Sequence, residues 1–123
     1  MARVKGGTVT ENGTIAYVDN GYYGQGVQLN NGYLSIKNFA PGTDSFTISF
    51  WINTQGVGSK DDPCIASNKN WQSGQNQGLA VALTSGEVRL NFGDGYNRVD
   101  CNLSLPSDYR EGWMHIMIIV DRT

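Results

Sequence analysis

The 123-residue chain reads as an all-β protein, a sandwich of two antiparallel sheets, and three observations predict it. In Ser45–Asn53 (SFTISFWIN), Phe46, Ile48, Phe50 and Ile52 alternate with Thr47, Ser49 and Trp51. That is the period of two expected of a strand with one face turned to a core. Apolar segments recur about every 8–12 residues with turn pairs between them, the rhythm of a sandwich. Sixteen glycines are scattered without period, as many short strands joined by tight turns require. No stretch carries a capped apolar 3.6 period, so almost no helix is expected.

Taken in order, the polar opening, residues 1–12, is expected to be a flexible segment, and 13–123 a single sandwich domain. Asn31-Gly32 reads as a turn before a strand from Tyr33 to Lys37. A Pro41-Gly42 turn leads into the alternating strand. After a glycine-rich loop, Gly56–Asp62, comes the short strand Cys64–Ser67, and then a long loop from Asn68 to Gly78. Leu79–Thr84 and Glu87–Phe92 flank Ser85-Gly86 as a hairpin. The turn Gly93–Asn97 feeds Arg98–Leu105. Gly112–Asp121 is apolar on both faces, which suits the middle of a sheet.

Composition excludes several classes. Nine basic and eleven acidic residues are interspersed, a net charge of -2, so there is no basic stripe for nucleic acid. No apolar run approaches the roughly 18 residues of a membrane span. The opening MARVKGGTVTENG has no apolar stretch of the signal-peptide kind. Cys64 and Cys101 read either as one disulfide or as buried free thiols, since no second pair or histidine cluster suggests a metal.

Four pieces in order, YGQGVQLNNGYLSI, FTISFWINT, CIASNKNW and EGWMHIMIIVDR, resemble the laminin-G-like branch of the concanavalin-A-like lectin/glucanase superfamily. Phe46, Ser49, Trp51, Gly112, Trp113, His115 and Asp121 fit its strand motifs, and the likeness runs from about Tyr23 to Arg122. The resemblance implies a jelly roll, an extracellular or cell- or virion-surface setting, glycan or macromolecule binding, and calcium at a loop rim. In that branch further strands follow the one matching Trp113–Asp121. Either the sequence is a fragment of such a sandwich, or a second chain completes the partial sandwich; self-association as a homo-oligomer through the exposed C-terminal strand is expected.

The superfamily's glucanases place carboxylates in a Glu-x-Asp-x-x-Glu or Glu-x-Asp-x-Glu pattern, and none of the eleven acids here forms one. A retaining glycosidase needs two carboxyls about 5–5.5 Å apart, and Asp61-Asp62 point opposite ways on an extended chain. His115, the only histidine, sits in an apolar strand and reads as a packed, hydrogen-bonded residue. No catalytic residue is assigned and no enzyme expected.

Trp71 lies in a polar loop with Asn68, Asn70 and Asn76, an aromatic plane with amides around it for sugar hydroxyls. Tyr96, Asn97 and Arg98 in the next turn complete the expected contact rim. Asp94 and Asp62 are the candidate calcium ligands, although Asp94-Gly95 is also ordinary turn chemistry. Trp51 and Trp113 read as core or sheet-face residues. The functional expectation is a non-catalytic carbohydrate-binding module, with a protein-assembly module as the alternative.

Overall fold

The computed structural model describes residues 7–37, 42–54, 63–70, 76–84 and 86–123, and every regular element among them is a strand. There are eight: β1 (Thr8–Val18), β2 (Gly26–Lys37), β3 (Phe46–Asn53), β4 (Cys64–Ser67), β5 (Gly78–Thr84), β6 (Glu87–Gly93), β7 (Arg98–Ser104) and β8 (Trp113–Val120). They form a two-stranded sheet β1-β2, a two-stranded sheet β3-β8 and a four-stranded sheet β4-β5-β6-β7. The chain divides into two compact units, residues 1–51 with 115–123, and residues 52–114.

In the first unit β1 and β2 make a long antiparallel hairpin that starts at Thr8↔Lys37. The polar residues 8–12, expected to be flexible, are thus strand. The expected turn at Asn31-Gly32 is instead a bulge inside β2, where the register slips between Asn12 and Thr14. Gly13 and Asn31 face each other there with φ of 76° and 51°. Gly and Asn tolerate the left-handed region, so the pair that signals a hairpin turn equally serves a bulge. β3 keeps the expected alternation: Phe46, Ile48 and Phe50 are half-buried while Thr47 and Ser49 are exposed. Ser49 meets His115 and Ser45 meets Arg122, the opposing order of antiparallel neighbours.

The second unit holds most of the core. β5 is buried along Leu79–Thr84, and Val81 is wholly inaccessible. Its ladder with β6 pairs Leu79 with Phe92, Val81 with Leu90 and Leu83 with Val88. The small residues Ala80 and Ala82 occupy the other face, opposite Asn91 and Arg89. Each large apolar side chain sequestered here is worth about 1.5–3 kcal/mol. β5 is therefore the doubly buried strand. β8, expected to hold mid-sheet, has β3 as its only neighbour among the described residues, with Met117 and Ile119 exposed. An apolar run permits burial on both faces, but pairing decides it, and GLAVALT satisfies the same criterion.

The turn between β5 and β6 uses Gly86 at φ 86°. Leu105 then returns its N–H to the Gly86 carbonyl, 2.8 Å away. The 105–112 segment buries Tyr109, whose carbonyl accepts the Thr54 hydroxyl at 3.4 Å.

Both cysteines are free, and both are exposed rather than buried. Cys64 lies on β4 and Cys101 on β7, the opposite edges of the four-stranded sheet. Three strand spacings, roughly 14 Å, separate those edges, twice the roughly 7 Å a disulfide tolerates.

Candidate functional site

The described ends of the loop after β4, residues 68–70 and 76–77, and the turn between β6 and β7 meet at one end of the four-stranded sheet. Register explains why: Gly78 opposes Gly93, and Gly93 opposes Arg98. The start of β5, the end of β6 and the start of β7 therefore coincide. Asn68 joins them because its N–H donates to the Leu79 carbonyl at 3.0 Å and its Oδ1 accepts the Leu79 N–H at 2.7 Å. Lys69 donates to the Asn76 carbonyl at 3.2 Å, and Gln77 packs beside Gly95. Of the expected rim, Asn68, Asn76, Tyr96, Asn97 and Arg98 are brought to this end, with Asn70 next to Lys69. Trp71 and Asp62 lie outside the described residues.

Much of the polar capacity at this end is already committed. Asp94 closes its own turn: Oδ1 accepts the N–H of Tyr96 at 2.7 Å and of Asn97 at 2.6 Å, and Oδ2 accepts the Asn97 amide at 3.3 Å. Those bonds, the Asn97 N–H foremost, hold its carboxyl below the usual carboxylate range. This is the turn reading of Asp94-Gly95. No group of three or more His, Cys, Asp or Glu side chains converges among the described residues. Arg98 is paired with Asp100 at 2.8 Å. Burial lowers the pKa of the Lys69 ammonium below the lysine norm, Arg98 adds to that, and Asp100 opposes it. Among the described residues Tyr96, 89% exposed, is the open aromatic at this end.

A second cluster, in the first unit, escaped the sequence reading. Tyr22 lies flat on Trp51, ring centroids 3.5 Å apart and planes 9° from parallel. Tyr23 stands edge-on to both, 4.7 Å from Tyr22 and 6.1 Å from Trp51. His115 leans on Trp51 at 5.0 Å, and its Nε2 is 2.8 Å from the Ser49 hydroxyl. His115 is hydrogen-bonded, as expected, but exposed.

The loop carrying the two tyrosines is held at its base by Gln25, whose amide donates to Asp19 at 3.0 Å. Trp51 occupies the polar side of β3 with Ser49, so period two lifts it out of the Phe46–Ile48–Phe50 side. The stack leaves Tyr22 46% and Tyr23 78% exposed. Aromatic faces usually retreat from water, and three held in fixed geometry with a hydroxyl–imidazole pair beside them make a platform. It suits a ligand with one apolar face and a polar rim. Two signals pointed to it: the Tyr22-Tyr23 doublet between glycines, and a tryptophan on the hydrophilic phase of an alternating strand.

No curated protein and no solved structure matches the chain. A family model described as Clostridium neurotoxin, N-terminal receptor binding, matches residues 7–123. With that match covering all but the first six residues, the chain belongs to the Clostridium neurotoxin N-terminal receptor-binding family.

Proposed function

We propose that this chain is a non-catalytic receptor-binding module of a secreted toxin, and that the receptor feature it reads is a carbohydrate. Membership in a family described by receptor binding supports the module, its extracellular setting and a host partner. No helix among the described residues is long and apolar enough to cross a membrane. The observation that carries the sugar reading is the exposed aromatic stack of Tyr22, Tyr23 and Trp51 with Ser49 and His115 alongside. A pyranose presents C–H groups on one face and hydroxyls around its edge. The tyrosine rings take the face, while Ser49 and His115 offer donors and acceptors to the edge. Trp51 acts one layer down, as the support on which Tyr22 rests.

The rim at the β6–β7 end is a second reading of where the sugar sits, favoured by the gathering of Asn68, Asn76 and the open Tyr96. The jelly-roll likeness to concanavalin-A-like lectins belongs with this proposal.

A glycan array followed by titration of the best hit separates the readings. Tyr23→Ala is expected to weaken binding about tenfold or more, the 1.4 kcal/mol or greater typical of an anchoring aromatic. Tyr96→Ala is expected to leave it unchanged. Loss of binding only in Tyr96→Ala or Trp71→Ala moves the site to the rim. Absence of any glycan hit, with the receptor captured as deglycosylated protein, overturns the carbohydrate reading.

A further inference from the structure

β7 is an edge without the usual defences. All seven residues from Arg98 to Ser104 are exposed, and no strand pairs with their outer side among the described residues. Protein edges are normally blunted by lysine, proline or a bulge. β7 has no lysine or proline, and its register with β6 is regular from Glu87↔Ser104 to Gly93↔Arg98. Its charges, Arg98 and Asp100, neutralise each other. On one face Val99, Cys101 and Leu103 continue the apolar row of Phe92, Leu90 and Val88, yet Val99 is 63% and Leu103 60% exposed.

The strand is also complementary to itself. Cys101 is its midpoint, so an antiparallel copy paired about a two-fold axis at Cys101 sets Val99 against the partner's Leu103 and Leu103 against the partner's Val99. On the polar face Asp100 meets the partner's Asn102, acceptor to donor, and Arg98 meets the partner's Ser104. Other registers are worse. A one-residue slip turns the apolar row of one copy to the polar face of the other. An axis at Asp100 opposes two carboxylates, and one at Asn102 takes Val99 out of the ladder.

We propose that β7 is an isologous dimerisation edge, joining two four-stranded sheets into one of eight strands through a second copy of this chain. This inference is independent of the sugar reading. It also moves the contact from the C-terminal strand, where self-association was expected. In β8 Trp113, Met114, Ile116, Ile118 and Val120 are wholly or partly buried, whereas no residue of β7 is.

The dimer brings the two Cys101 thiols together. Opposed residues in an antiparallel ladder have Cα atoms about 4.5 or 5.5 Å apart, both inside the disulfide range of about 4.4–6.8 Å. The test is light scattering of the full chain over a wide concentration range, with diamide cross-linking under each condition. Two thiols close one S–S bond while diamide accepts the two protons and two electrons. The expected mass rises with concentration from 13.4 kDa toward twice that value. A covalent dimer is expected that Cys101→Ser abolishes and Cys64→Ser does not. Val99→Lys with Leu103→Lys, at exposed positions that leave the circular dichroism spectrum unchanged, is expected to keep the chain monomeric. A mass fixed at 13.4 kDa, a dimer indifferent to the paired lysines, or cross-linking through Cys64 each overturns the proposal.

Discussion

Replacing Asn91 by aspartate tests the interior of the four-stranded sheet with almost no change of shape. Asn91 is wholly inaccessible, and its amide nitrogen donates to Asp100 Oδ1 at 2.7 Å. A carboxylate only accepts, so this bond fixes which way the amide points and leaves its Oδ1 buried without a partner. Asn91→Asp sets two carboxyls against each other, and one of them must hold a proton for the contact to survive. Holding that proton at pH 7, about three units above a normal carboxyl, costs roughly 4 kcal/mol at 1.36 kcal/mol per unit. The folded pair has a raised pKa, so the unfolded chain releases the proton first. The penalty is therefore near zero around pH 4 and grows by about 1.4 kcal/mol per pH unit above it. Urea unfolding of both proteins at pH 4 and pH 7, each referred to wild type at the same pH, reads this directly. A loss below about 1 kcal/mol that is flat in pH would refute the buried Asn91–Asp100 contact.

Leu83→Ala, at a side chain 2% exposed on β5, is expected to lower unfolding free energy by about 2–5 kcal/mol with an unchanged denaturant slope. A cost under 1 kcal/mol would mean that β5 is not the core strand. Asp94 has a depressed carboxyl pKa, so its turn bonds contribute stability above the usual carboxylate range that is lost as pH falls through the folded value. Asp94→Ala should accordingly lower Tm at neutral pH, with the gap to wild type closing in acid; a gap independent of pH contradicts that role. Cys64 and Cys101 should both react with a thiol reagent in the native protein, and a reductant should leave Tm unchanged. Protection of both thiols until unfolding would show that the opposite-edge placement is wrong.

The sequence disclosed local structure better than environment. The strands Cys64–Ser67, Glu87–Gly93 and Trp113–Val120 were legible to within a residue at each end because alternation and turn pairs are short-range signals. The β1–β2 hairpin was obscured by its polarity: TVTENG and VQLNNG carry little apolar period, and Asn31-Gly32 serves a bulge rather than a turn. Burial was harder still. GLAVALT and WMHIMIIV are alike as apolar runs, yet one fills the core and the other leaves Met117 and Ile119 in water, because strand partners lie far away in sequence.

The candidate sites divide along the same line. Asn68, Asn76, Tyr96 and Arg98 could be grouped in advance because loops at one end of a meander converge. The Tyr22–Trp51 stack joins residues twenty-nine positions apart, and the local signals, a tyrosine doublet and a tryptophan on the polar phase of β3, do not say that the two meet. Asp94 shows the limit of composition: its acid is present, but its oxygens close a turn.

The most direct test of the central claim is an NMR titration of the chain with an oligosaccharide found on the glycan array, following aromatic and indole signals. The account predicts that Tyr22, Tyr23, Trp51 and His115 shift together with a common Kd while Trp71 and Tyr96 stay fixed. Shifts confined to Trp71 and Tyr96, or none in the Tyr22–Trp51 stack at saturating sugar, would contradict it.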